Sequence, residues 1–168
     1  DLDAARAVAG SDQVERYQVL DQLTLLVDKS LVAAEENNSG TRYRLLETVR
    51  QYALEKLGES GEPDAVRTRH RDHYASLVAV LDTLGDSGQQ QRLEQAEIDI
   101  DNLRAAFTWS RERSEGECAL TLASSLQRLW LSRGRIQEGV AWFNSALGDC
   151  DGRAEVAAAV HARTDLSA

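Results

Sequence analysis

Residues 26–57 read LVDKSLVAAEENNSGTRYRLLETVRQYALEKL, and the fold turns on this stretch. A helical apolar period runs out at Lys29. The period then drops to that of strands over residues 31–36 and 41–46, with Asn37, Asn38, Ser39 and Gly40 between them. Asparagine and glycine tolerate the positive φ of tight hairpin turns. Arg42 and Arg44 alternate with Tyr43 and Leu45, and Glu35 or Glu36 is placed to face the arginines across the pair. A helix follows from Glu47 to Leu57, with Val49, Tyr52, Ala53 and Leu57 as its expected buried stripe.

Upstream, Leu2, Ala5 and Val8 share one helical face and Gly10 stops it. A helix over residues 12–29 is predicted next, with Asp12 as N-cap and Lys29 as a favourable last-turn cation. Its expected buried face is Val14, Tyr17, Leu20, Leu23 and Leu26 or Val27. A helix end, a two-stranded hairpin and a second helix, in the order that residues 26–57 give them, are the back half of a winged helix.

Downstream, residues 58–63 (GESGEP) hold two glycines and the only proline, and form the best internal boundary. Everything beyond reads as helix. One segment, residues 64–84, is lined by Val66, His73 or Tyr74, Leu77, Leu81 and Leu84. A second, residues 90–111, is lined by Leu93, Ala96, Ile100, Leu103 and Phe107. A third, residues 117–133, carries Leu122, Leu126, Leu129 and Trp130. After Gly134 comes a fourth, lined by Ile136, Val140, Phe143 and Leu147, and a fifth begins after residues 148–152. Paired amphipathic helices with short turns suggest an α-solenoid. Residues 123–147 are similar to one tetratricopeptide repeat, a unit of about 34 residues. Leu126, Trp130, Gly134, Ile136, Gly139, Phe143, Ala146 and Leu147 stand at its packing positions, while Gln127 and Asp151 depart from the pattern. The expectation is therefore a mainly α chain. A partial winged-helix domain with one β-hairpin covers residues 1–58, a linker 59–63, and a TPR-like helical repeat domain, truncated at its C-terminus, 64–168.

The chain of 168 residues contains no methionine, and reads as a middle piece of a longer protein. No secretory leader and no spanning-length apolar run is present, so a cytoplasmic location is expected. A net charge of −9 argues against non-specific nucleic-acid binding by the chain as a whole. Cys118 and Cys150 have no metal or redox spacing and are expected to be reduced.

Catalytic signatures are absent from the sequence. No G-x-x-x-x-G-K-[ST] phosphate loop occurs, and Ser30 lies outside any nucleophile elbow. His70 and His73 share a helix face near Asp72, but such a pair reads better as packing than as a metal site with His161. Arg67, Arg69 and Arg71 with His70 form the one dense basic run. It is a candidate contact for nucleic acid or an acidic partner, weighed against a solvated helix face. The helix before the hairpin carries Asp12, Glu15, Asp21 and Asp28 against Arg16 and Lys29, a balance that repels phosphates. Arg42 and Arg44 are the one feature favouring DNA.

The wording of residues 23–57, 69–75 and 97–109 resembles LuxR-terminating transcriptional regulators of the STAND (NB-ARC-type) nucleotide-switch ATPase class, in their winged-helix and helical-repeat region. The D-N-L-R-A-A phrase at residues 101–106 recurs there as a structural element. The resemblance implies a non-catalytic regulatory and protein-interaction module. ATP or ADP would be bound by an upstream domain of the same protein, with no cofactor in this segment. An unknown protein or small-molecule inducer would bind the helical repeats, DNA would be bound only through another domain, and no membrane would be involved. In that family a Met-His-Asp motif reads ADP. The matching residues here are Leu45, Leu46 and Glu47. Glu47 keeps the carboxylate, but Leu46 cannot donate to a phosphate. Interaction candidates are Arg42, Arg44, Arg67, Arg69 and Arg71. The alternative is a stand-alone winged-helix DNA-binding protein with a helical dimerisation tail.

Overall fold

A computed structural model describes residues 1–10, 15–37, 40–79, 81 and 86–149. The chain is mainly α with one antiparallel hairpin, and it divides into two compact units, Asp1–His73 and Tyr74 onward.

The first unit opens with α1 (Leu2–Ala9), whose N-cap Asp1 accepts a hydrogen bond from the Ala4 N–H at 2.8 Å. This satisfies one of the donors that a helix start leaves orphaned. A Cβ at Gly10 would collide with the Arg6 carbonyl oxygen, so the chain leaves the helix on glycine. Next is α2 (Arg16–Asp28), which starts later than the sequence suggests. Its N-cap is Glu15, whose N–H donates to the Gln18 side chain at 2.7 Å. Asp12 and Val14 lie outside the described residues.

The buried face of α2 also differs from the expectation. Val19 is buried, with Leu23, Leu26 and Val27 half-buried, while Tyr17 and Leu20 point outward. The helix packs on α1 and on the first strand. The stripe at 19, 23, 26 and 27 meets both, and a stripe through 17 and 20 is rotated away from them.

β1 (Val32–Asn37) and β2 (Gly40–Leu45) pair in antiparallel register, with Val32 opposite Leu45 and Glu35 opposite Arg42. Val32 is buried. α3 (Glu47–Glu59) follows, and none of its residues is buried. The expected stripe fails here: Tyr52 is 60% exposed and Ala53 exposed, with only Val49 and Leu57 half-buried. The turn after α3 uses Gly61 at φ 81°, and Pro63 opens α4 (Pro63–Ala79). Proline suits a first helical position because that N–H has no intrahelical partner. The division between the two units falls within α4, ten residues after the glycine- and proline-rich turn that marks a boundary in the sequence.

The second unit contains α5 (Asp86–Ile98), α6 (Ile100–Glu112), α7 (Gly116–Ser125), α8 (Gln127–Ser132) and α9 (Ile136–Asp149). Residues 90–111 are thus two helices meeting at Asp99, not one, and residues 117–133 are two meeting at Leu126. Buried Asp99 accepts from the Gln95 amide at 2.6 Å and the Asn102 amide at 3.2 Å, which satisfies its carboxylate at the junction.

α7 packs against both α6 and α9. Leu103, Ala106, Ala119, Leu122, Ala123, Leu126, Leu129 and Ala146 are fully buried in the core that these helices form with α8. Phe107 stacks on Trp142 with ring centroids 4.1 Å apart, and Trp130 meets Trp142 edge-on at 5.2 Å. A Cβ at Gly139 would stand 2.6 Å from Trp130 Cδ1, so α9 approaches that ring as closely as glycine allows. The expected lining of α9 is corrected: Ile136, Val140 and Leu147 are exposed, and Gly139, Trp142 and Ala146 face inward. The two tryptophans carry larger apolar surfaces than those aliphatics, and their stacking sets the phase of the helix. Leu84, Cys150 and the predicted last helix lie outside the described residues.

Three helix ends share one cap. Ser30, Ser114 and Gly134 adopt φ of 57°, 57° and 67°. The next residue's N–H then reaches back to Leu26, Ser110 and Trp130 carbonyls at 2.9, 2.8 and 2.8 Å. This is the left-handed C-terminal cap that glycine usually supplies.

Candidate functional site

α1, α2 and the hairpin hold the residues on which a winged helix acts. The outward face of α2 follows from helical geometry. Positions 17, 20, 21, 24, 25 and 28 lie on one side, three and four apart. They are Tyr17, Leu20, Asp21, Thr24, Leu25 and Asp28, all exposed. Tyr17 is 62%, Leu20 40% and Leu25 49% accessible. The helix therefore offers three apolar side chains and two carboxylates where a DNA-reading helix needs bases and polar donors.

The hairpin carries two arginines, matched by Glu35 and Glu36. Arg42 stands directly opposite Glu35, and Arg44 reaches the same carboxylate at 4.0 Å with most of its guanidinium in solvent. An exposed pair of this kind is weak, and a phosphate can compete for it.

Between α1 and α2 lies an open apolar cavity of about 440 Å³, lined by Ala5, Ala9, Val19, Leu23 and Leu26 with Gln18 and Gln22 at its edge.

Glu47 begins α3, fully exposed, and Leu46 is its N-cap residue. The Arg50 guanidinium binds the Glu47 carboxylate at 2.7 and 2.9 Å and holds its pKa below the ordinary value, and the Gln51 amide adds a third bond at 3.3 Å. Glu47 is thus committed to its own helix, and Leu46 presents an exposed apolar side chain beside it.

The basic run does not form one surface. Arg67 is exposed, but Arg69 turns inward and its Nε donates to the Val8 carbonyl at 2.8 Å, closing the end of α1. Arg71 is 8% exposed and is bound to Asp72 at 2.7 Å. Helical spacing turns Arg69 away from Arg67 and Arg71, and although those two lie four apart on one side, only Arg71 is buried, which spacing does not reveal. Among the described residues no group of three or more His, Cys, Asp or Glu side chains could hold a metal, and His161 lies outside them.

In the second unit the charges serve packing. Glu97 pairs with Arg133 and Arg135, tying α5 to the turn before α9. Arg104 bridges Glu138 at 2.7 Å and Asp101 at 2.8 Å, and the Glu138 carboxylate raises its pKa further. Cys118 is a free, half-buried thiol that accepts a hydrogen bond from the Ser110 hydroxyl at 3.5 Å. Among the described residues no helix is long and apolar enough to cross a membrane.

Comparison with known proteins places these features. Residues 1–58 match the family profile of the winged helix-turn-helix domain. The chain is 58% identical over 149 residues to "Putative HTH-type transcriptional regulator Mb0914c" of Mycobacterium bovis, covering 89% of this chain and 17% of that protein. A Mycobacterium tuberculosis protein with the corresponding name, Rv0890c, matches with the same identity and coverage. An uncharacterised protein of Mycobacterium bovis, Mb0918, is 55% identical over 74 residues, 44% of this chain and 19% of its own length. The chain thus spans about a sixth of the longer regulators it matches. No solved structure matches it. Over residues 1–58 this chain is similar to winged helix-turn-helix domains, and over most of its length to one segment of HTH-type transcriptional regulators.

Proposed function

We propose that this chain is a non-catalytic module of a transcriptional regulator, with the winged helix as its working part. One observation carries the reading: two packed helices run into a hairpin that carries an exposed Arg44 and a half-buried Arg42, within the segment that matches the winged helix-turn-helix family. The names of the relatives support a role in transcription. Duplex contact through the hairpin is what the family match favours. Its test is fluorescence anisotropy of a labelled duplex at low salt. Binding should weaken with added salt and be lost in Arg42→Glu with Arg44→Glu. A chain that leaves the duplex free at low salt has no DNA-binding role.

A second reading is favoured by Asp21 and Asp28 on the outward face of α2. Here the winged helix docks on an upstream nucleotide-binding domain of a larger LuxR-type switch protein, the TPR-like helices receive a protein or small-molecule signal, and another domain binds DNA. The resemblance of residues 23–57 and 97–109 supports it, as does the length of the relatives. The parent's upstream domain, titrated with this chain in ADP and then ATP, should bind more tightly in one of them. Equal affinity in both would remove nucleotide state from the account.

A further inference from the structure

We infer that the outward face of α2 is a protein-docking surface, and that its partner presents an apolar groove edged by lysine or arginine. The inference rests on the regulatory-module reading, and goes beyond duplex contact, which involves β2 and not this face.

Three observations carry it. Tyr17, Leu20 and Leu25 are exposed on one side of a helix whose opposite side is packed. Large apolar side chains gathered on an exposed face mark interaction sites more often than scattered ones do. Asp21 and Asp28 lie within the same stripe, and neither is paired among the described residues. Lys29, the C-cap residue, follows the helix and stands outside the stripe.

The charge selects the partner. A duplex would bring phosphates against two carboxylates and leave three apolar side chains facing a polar groove. A basic-edged apolar groove matches both parts of the face. Tyr17, Leu20 and Leu25 enter the groove at i, i+3 and i+8, one face of the helix as in helix-in-groove recognition, and Asp21 and Asp28 meet its cationic rim. Tyrosine is enriched at the centres of such interfaces because its ring is large and its hydroxyl can remain hydrated.

The test uses the full 168-residue chain, labelled for amide NMR. The probes are a synthetic helical-hairpin peptide whose leucine-lined groove is edged by lysines, the same peptide edged by glutamates, and a duplex. The lysine peptide is expected to shift the amides around Tyr17, Leu20, Thr24 and Leu25, and the glutamate peptide to leave them unchanged. Leu25→Glu should weaken binding by about tenfold, the scale of one lost interface anchor. Leu20→Glu supplies a second variant if Leu25→Glu alters the fold. Asp21→Lys with Asp28→Lys should reverse the preference between the two peptides.

The inference is overturned if both peptides bind alike or the shifts map elsewhere. It is also overturned if the duplex moves the α2 amides, which would make α2 a DNA reader. Shifts that change with protein concentration alone overturn it too, because a second copy would then be the occupant. Loss of duplex binding in the Arg42 and Arg44 variant bears only on the DNA reading, so the two can fail separately.

Discussion

α3 and α9 are amphipathic helices of similar length, and they end in opposite states. α9 buries Trp142 and Ala146 and brings Gly139 against the Trp130 ring, while α3 buries nothing. The difference lies in what each helix meets. α9 has two helices to pack on, α7 and α8. α3 keeps Tyr52 and Leu54 in solvent and secures its first turn with surface pairs such as Glu47–Arg50. An apolar stripe is an offer of packing. Whether it becomes core depends on a partner that the helix itself does not encode.

The largest test of that contrast is a pair of truncations. Leu129→Ala in the core of the second unit should cost about 2–5 kcal/mol through lost burial and a residual cavity. Tyr52→Ala on α3 should stay within about 0.5 kcal/mol, as for other exposed sites. Denaturation followed by tryptophan fluorescence reads the first change directly, because Trp109, Trp130 and Trp142 all lie in the second unit. Denaturation followed by circular dichroism reads the second. A large loss at Tyr52 would mean that α3 is packed after all.

Gly139→Ala probes the close approach itself. The new methyl must displace the Trp130 ring, and overpacking of this kind costs about 1–3 kcal/mol. The same fluorescence-monitored unfolding measures it, and an unchanged midpoint would show that the ring gives way freely.

The left-handed caps offer a smaller comparison between the two units. Ser30→Gly and Ser114→Gly relieve a conformation that costs non-glycine residues about 1–2 kcal/mol, partly offset by the greater freedom of glycine in the unfolded chain. Each should stabilise its own unit by about 0.5 kcal/mol. Amide hydrogen exchange in α2 and in α6 separates the two effects.

The smallest effect is on pH dependence. Arg50 depresses the Glu47 pKa, so the stability this pair contributes is present above the ordinary carboxylate range. It is lost as pH falls through the lowered folded value. Glu47→Gln should remove that acid-side slope from the denaturation midpoint, and high salt should flatten it in the unmodified chain. A slope that survives both changes would belong to other carboxylates.

Much of this molecule is legible in its sequence. The hairpin is, because Asn and Gly stand at a turn before the alternating run of residues 41–45. So are the helical content and the inward positions Leu103, Leu122, Leu126, Leu129 and Trp130, where apolar residues recur at helical spacing on helices packed on more than one side. The candidate site was harder to read. Tyr17 and Leu20 fit a buried stripe as well as Val19 and Leu23 do, and only contact with α1 and β1 selects between them. The basic run looked like one patch, yet it scatters into an exposed Arg67, a capping Arg69 and a buried Arg71.

The sequence by itself determined the local features: periodicity, turn chemistry, the glycine at position 134 and the order of helices and strands. These depend on residues a few positions apart, whose preferences act before the chain is compact. Only the tertiary structure decided which side of α2, α3 and α9 faces inward, where the long helices are divided, and which arginines reach solvent. Those outcomes depend on residues distant in sequence, such as Val8 for Arg69 and Phe107 for Trp142, and no local pattern specifies such a neighbour.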